Sequence, residues 1–141
     1  MIDDAIAQRV RASFDKQGLM RHLGAELREI DRGRVTIALA WRPELTQQHG
    51  YFHAGATGAI ADSAGGYAAL TMFPDDADVL TVEYKLNLLA PAEGERLEAI
   101  GAVVKAGRTL TVCTLEVFGV RGDQRTLVAT GQQTLFCVRP R

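Results

Sequence analysis

Asp62 is the one ionised side chain between Ala54 and Phe73. Around it stand Ala, Gly, Ser, Thr, Ile, Leu, Met, Tyr and Phe. A segment so apolar reads as a helix packed on nearly all sides. A carboxylate inside it is costly unless something pairs with it, bonds it or uses it. The positions three and four residues away are Gly58, Ala59, Gly65 and Gly66, which offer neither a cation nor a polar side chain. A lone helix charge more often points to solvent through a gap. Here the surroundings favour a carboxylate held in a cleft for chemistry. Just upstream, Gln47-Gln48-His49-Gly50-Tyr51-Phe52-His53-Ala54-Gly55 leads into the same helix.

The run to Phe73 has about the span of a transmembrane helix. Its small residues and its central carboxylate argue against one. They point to a helix whose backbone is approached closely, as by a sheet wrapped around it.

The flanking elements follow from periodicity. Ile6, Val10 and Phe14 recur at a spacing of four, which predicts an amphipathic helix over 3–16 that Gly18 ends. From Ala25 the period is two. Val35, Ile37, Leu39 and Trp41 alternate with Thr36, Ala38 and Ala40, and Asp31-Arg32-Gly33 supplies a turn. Residues 24–42 therefore read as a β-hairpin, closed by Pro43. The loop 43–53 precedes the central helix, which Pro74-Asp75-Asp76 stops. Strands are predicted over 78–90, 95–106, 108–120 and 124–138. In the first, Val82, Tyr84, Leu86 and Leu88 alternate with Thr81, Glu83, Lys85 and Asn87. Short turn-like links, such as Pro91-Ala92-Glu93-Gly94, predict antiparallel neighbours and hence a β-meander. The fold class is α+β, one antiparallel sheet with one central helix. The free sheet face and edges need cover, which predicts a dimer or higher oligomer.

At 141 residues the chain reads as a single domain, 1–141, with a full core over about 20–138. Apolar residues make up 47% and charged residues 23%, as in ordinary globular proteins. A net charge of −1 marks neither a nucleic-acid binder nor a membrane-surface protein. Cys113 and Cys137 stand far apart in apolar runs, without metal-like spacing, so buried reduced thiols are expected and no metal. Met1-Ile2-Asp3-Asp4 lacks the basic-then-apolar plan of a signal peptide, which predicts a cytoplasmic protein.

In order and spacing, Gln47, His53 and Asp62, six and then nine residues apart, resemble the hotdog-fold acyl-CoA thioesterases, in particular their PaaI-like group. Thr81-Val82-Glu83-Tyr84, Leu89-Ala90-Pro91 and Lys105-Ala106-Gly107-Arg108-Thr109-Leu110 are similar to that family's strand and turn signatures. The resemblance covers about residues 20–138. One departure stands out: the family's His-Gly-Gly is His53-Ala54-Gly55 here. Alanine keeps the backbone N–H that the first glycine presents, and adds a methyl group at the reaction site.

The resemblance implies hydrolysis of an acyl-CoA to a free acid and CoA, with no cofactor beyond the CoA of the substrate. It implies Asp62 as general base or as nucleophile through a transient anhydride. It implies that Gln47 orients water or holds the thioester. His53 would shape the loop or donate a hydrogen bond. His49 and His22 read as ordinary surface or loop residues. The helix start at Ala54-Gly55 offers unbonded N–H groups and a positive dipole end, suited to an oxyanion hole. Thr81 and Glu83 would line the cleft; Lys105, Gly107, Arg108 and Thr109 would meet CoA phosphates. Gly65, Gly66 and Tyr67 would line an acyl pocket. Asp62 lies eight residues beyond Ala54, roughly 12 Å along a helix axis. One carbonyl cannot touch both, so the site should be assembled between two subunits of a homodimer, itself paired into a homotetramer. Aromatic, short-chain and medium-chain acyl groups all fit. A hotdog dehydratase or hydratase, using His53 and Asp62, and a non-catalytic acyl-CoA-binding protein are the competing readings.

Overall fold

A computed structural model describes residues 2–141. Helices α1 (Asp4–Asp15) and α2 (Gly18–Leu23) precede a hairpin of β1 (Glu26–Asp31) and β2 (Arg34–Ala40). A short 3₁₀ turn (Pro43–Leu45) and a loop lead to α3 (Ala54–Leu70). Strands β3 (Asp78–Leu88), β4 (Arg96–Ala106), β5 (Leu110–Arg121) and β6 (Gln124–Val138) follow. All six strands form one antiparallel sheet, and α3 packs against its inner face. This is the α+β architecture the sequence predicts, with the helix at the centre of the core. No helix among the described residues is long and apolar enough to cross a membrane.

Two expectations need correction. Gly18 does not simply end the first helix. α1 stops at Lys16, and Gly18 opens α2, which Gly24 closes in the left-handed conformation at φ +77°. The larger correction concerns β3. The strand order is β1-β2-β4-β5-β6-β3, so β3 is an edge strand paired with β6, not a neighbour of β4. The 89–95 link is not a tight turn. It runs along the sheet end, where Leu89 N–H donates to Val128 O, Glu95 N–H to Val120 O, and Phe52 N–H to Ala92 O. Only β4, β5 and β6 form a meander. Link length misled because an extended seven-residue link easily spans the two intervening strands, at about 4.8 Å per strand.

The small residues of α3 have a specific packing role. A Cβ added at Gly101 of β4 would lie 2.4 Å from Gly65 N and 2.5 Å from the carbonyl carbon of Ala64. The two backbones touch there, and neither can yield as a flexible side chain would. A Cβ at Gly65 would meet Gln133 Oε1 at 1.8 Å and Leu115 Cδ2 at 2.7 Å. Beyond its first turn, α3 is buried except at Ala59 and Asp62. With exposed Gly55, these define one stripe at helical spacing, left open between the sheet and the N-terminal helices.

Gly101→Ala should lower the unfolding free energy by about 1–3 kcal/mol in denaturant titration. Gly18→Ala, whose Cβ would meet nothing within 4 Å, should shift it by less than about 0.5 kcal/mol. Equal stability of Gly101→Ala and the parent would mean that the helix does not press on β4.

Candidate active site

Two donors hold the Asp62 carboxylate. Thr81 Oγ1 donates to Asp62 Oδ1 at 2.6 Å, and Gln133 Nε2 donates to the same oxygen at 2.6 Å. Gln133 Nε2 also lies 3.1 Å from the Asp62 carbonyl oxygen and 3.2 Å from Thr81 Oγ1. Both donors converge on Oδ1, which leaves Oδ2 without a partner among the described residues. Charge-assisted bonds of this kind are short and strong.

Gln133 is the residue that sequence reasoning misses. It is 1% exposed, on β6, facing α3. Its orientation is fixed by charge, because the reverse one would set Oε1 against the carboxylate. The consequence is that Oε1 is buried without a partner, packed against Gly65. An unsatisfied buried oxygen is unfavourable, and such atoms often mark functional sites. The only sign the sequence carries is the position of Gln133, two residues before Leu135 and four before Cys137, on the inward period of β6.

A β-bulge decides which residues face Asp62. The β3–β6 register shifts between Thr81 and Glu83. Thr81 pairs with inward Leu135, and Tyr84 with inward Gln133; Glu83 pairs with Thr134 on the other face. Thr81 is thus brought to the carboxylate. Glu83 is not: it lines a groove with Lys85, Gln132 and Thr134. Simple alternation puts the two side by side, and the extra residue, Val82, separates them.

Asp62 opens on a cleft of about 470 Å³ that Ser63, Gly66, Tyr67 and Thr81 also line. Gly66 and Tyr67 line this cleft, whereas Gly65 faces the sheet. The far wall belongs to the N-terminal segment, through Ser13, Lys16 and Gln17. Gln17 Nε2 donates to the Tyr67 hydroxyl at 2.7 Å, and Ser63 Oγ donates to Gln17 Oε1 at 3.1 Å. Ser13 Oγ lies 3.1 Å from the same Tyr67 hydroxyl. Burial raises the Tyr67 phenol above its ordinary value, opposed by the bonds to Ser13 and Gln17. The hydroxyl keeps its hydrogen throughout the physiological range.

The start of α3 is a separate locus. His53 caps the helix: its Nδ1 accepts from Gly55 N–H at 2.7 Å. Nδ1 is therefore the accepting nitrogen, which leaves Nε2–H as the donor of the neutral imidazole, and the Gly55 N–H expected in an oxyanion hole is occupied. The Ala54 N–H has no acceptor among the described residues and remains the donor of that turn. Gln47 Oε1 accepts from His49 N–H and braces the loop. Gln47, Ala54, Thr57 and residues 88–92 line a second cleft, of about 480 Å³, which Asp62 does not reach. Asp62 and the helix start are not brought together within one chain.

Gly107, Arg108 and Thr109 form the β4–β5 connection, and they and Lys105, near the end of β4, are exposed. Gly107 N–H donates to Leu110 O, and a Cβ at Gly107 would sit 2.7 Å from that oxygen. Thr109 O accepts from Cys137 N–H, and Arg108 O from the Arg139 guanidinium. The Lys105 and Arg108 side chains form no ion pair among the described residues. Pairing of Leu110 with Phe136, and of Phe136 with Leu80, sets this turn at the sheet end where β3 begins.

Residues 49–126 match the family model described as the thioesterase superfamily. A crystal structure of a thioesterase family protein from Silicibacter pomeroyi is 44% identical, covers 96% of this chain and 99% of that one, and superposes with a TM-score of 0.93. The PaaI protein from the phenylacetic acid degradation operon of E. coli shares the fold at 18% identity, with a TM-score of 0.86 over 98% of this chain and 96% of that one. A 1,4-dihydroxy-2-naphthoyl-CoA hydrolase of Listeria monocytogenes is 23% identical over 100 residues, which is 71% of this chain and 81% of the relative.

The bond between Thr81 and Asp62 can be measured without reference to activity. A double-mutant cycle of Thr81→Val and Asp62→Asn should give a coupling energy of about 1.5–3 kcal/mol, as for a hydrogen bond to a charged group. Coupling below about 0.5 kcal/mol would mean that the threonine does not hold the carboxylate.

Proposed function

Because this chain belongs to the thioesterase superfamily, we propose that it hydrolyses the thioester of an acyl-CoA to a free acid and CoA, with Asp62 at the reacting carbon. The observation that carries this reading is the Asp62 carboxylate, with one oxygen held by Thr81 and Gln133, lining a cleft. Oδ2 then either takes a proton from an attacking water or attacks the carbonyl carbon itself. In the second case an Asp62–acyl anhydride forms as the C–S bond breaks. CoA leaves as a thiolate that takes up a proton, and water then cleaves the anhydride. Charge grows on the carbonyl oxygen in both routes. The Ala54 N–H, at the positive end of α3, is the donor we assign to it. His53 keeps its cap on Gly55 and so fixes that turn. Gln47 Nε2, free while Oε1 braces the loop, orients the water or the thioester.

The two halves lie roughly 12 Å apart on one helix, so the complete site needs Asp62 of one protomer and the helix start of another. Edge strand β3 supports a homodimer, since its outer backbone groups are unpaired and Leu80 and Val82 are exposed. Outward Leu110 and Phe136 suit pairing of two dimers into a tetramer. Lys105 and Arg108, beside the Gly107 turn, receive the CoA phosphates. Residues 1–141 act as one domain, and no cofactor besides the CoA of the substrate enters these steps. The buried reduced thiols of Cys113 and Cys137 suit a cytoplasmic setting. The name of the Listeria monocytogenes relative favours an aromatic acyl group within the aromatic, short-chain and medium-chain range.

Thiol release from a panel of aromatic and aliphatic acyl-CoAs tests the proposal. The parent should turn over at least one of them, and Asp62→Asn should lose at least about 10²-fold in kcat while remaining folded. Equal turnover by both would remove Asp62 from the chemistry. No turnover of any thioester by the folded parent would overturn the reading.

A further inference from the structure

Ala54 opens α3 at the one position where the chain departs from His-Gly-Gly. The backbone there does not call for glycine. It is helical, and no described residue other than glycine has a positive φ. The side chain at this position is therefore not dictated by the local fold.

The neighbouring N–H groups of the turn are all taken. His53 N–H donates to Leu45 O at 2.9 Å, Gly55 N–H to His53 Nδ1 at 2.7 Å, and Ala56 N–H to His53 O at 2.9 Å. Among them the Ala54 N–H alone lacks an acceptor among the described residues, and it points out of the helix start. A helical side chain tilts towards that same N-terminal end. The Ala54 methyl, two bonds from its own nitrogen, thus stands beside any acceptor that the N–H takes.

Ala54 is exposed and lines the second cleft. Phe52, Leu88, Leu89, Pro91 and Val128 supply apolar walls to that cleft. These walls are fixed: Phe52 and Val128 are buried, Phe52 N–H donates to Ala92 O, and Leu89 N–H donates to Val128 O. A thioester oxygen on the Ala54 N–H puts the carbonyl carbon about 1.2 Å further on, and the first acyl carbon one bond beyond it. Substituents on that first carbon fall within reach of the methyl. Those on later carbons lie past it. A planar aroyl group can turn its edge to the methyl, whereas a tetrahedral branch always carries one group out of the plane.

From this geometry we infer that the Ala54 methyl selects acyl groups by their branching next to the thioester. Acyl chains and arylacetyl groups with a CH2 beside the carbonyl are accepted, and those branched at that carbon are rejected. The Ala54 N–H serves both kinds of substrate; the side chain tells them apart. The inference rests on the Ala54 N–H receiving the thioester oxygen, as proposed above. One methyl group set against a fixed apolar wall is worth about tenfold or more in discrimination.

The test compares two isomers, 3-methylbutyryl-CoA and 2-methylbutyryl-CoA, and an aromatic pair, phenylacetyl-CoA and 2-phenylpropanoyl-CoA. In each pair the member with a CH2 beside the carbonyl should exceed the other in kcat/KM by at least about tenfold in the parent. In Ala54→Gly, which keeps the N–H, that ratio should fall by at least about fivefold. Inherent crowding at a branched carbonyl is the same for both proteins and cancels when their ratios are compared. Each ratio is taken within one protein, so a change in overall rate does not affect it. A ratio near one in the parent, or one unchanged or raised in Ala54→Gly, would overturn the inference. Calorimetric binding of the same thioesters to Asp62→Asn, with and without Ala54→Gly, reads the same selection without turnover. If the parent turns over no thioester, a binding preference that Ala54→Gly removes overturns the proposed reaction and leaves the selection by the methyl standing. Absence of that preference, or its persistence in Ala54→Gly, overturns both.

Discussion

The backbone of α3 rests directly on the backbone of β4 at Gly65 and Gly101, and the site depends on that contact. Helices normally stand about 10 Å from the layer they pack on, a distance set by side chains. Removing the side chains at the crossing lets the sheet curl closely around the helix. Strand β6 then comes near enough for Gln133 to reach the Asp62 carboxylate and carbonyl together. The same absence of side chain at Gly65 makes room for the Gln133 amide. A larger residue at either glycine would displace the donor that holds the carboxylate.

The bulge at Val82 is the second element of this arrangement. Without it, Thr81 would face away from α3 while Val82, Tyr84, Leu86 and Leu88 faced it. The carboxylate would then keep Gln133 and lose its hydroxyl. One unpaired residue in an edge strand turns a short polar side chain inward without disturbing the apolar run that follows. Bulges favour edges, where the interrupted ladder has one neighbour instead of two.

Much of this was legible in the sequence. The apolar run around one carboxylate gave the central helix, and strict alternation gave the hairpin and the strands. The Gln47–His53–Asp62 spacing pointed to the family. What escaped depends on relations between distant segments. Link length alone does not tell that β3 crosses the sheet end to pair with β6. Alternation assigned Glu83 the same face as Thr81, because a bulge leaves no mark in residue type when the inserted residue is itself apolar. Gln133 lies 71 residues from Asp62 in the chain, beyond the reach of any periodicity. The wall at Ser13 and Gln17 stayed hidden for the same reason: a helix packed beside the domain shows its apolar spacing but not what its polar face meets.

The placement of β3 also bears on how the molecule acquires its structure. Among the strands, β3 has β6 as its sole ladder partner, and two whole strands are made between them. During synthesis the hairpin, α3, β4 and β5 can assemble while β3 waits as an unpaired apolar ribbon. It docks only when β6 has emerged, and with the same step Thr81 and Gln133 reach Asp62. Such non-local pairing is slow compared with hairpin closure. The pairing of β6 with β3 is then also the step that sets both donors on the Asp62 carboxylate, and a nascent chain stalled before β6 would expose an unpaired strand. A chaperone meeting this protein would find its target at residues 78–88.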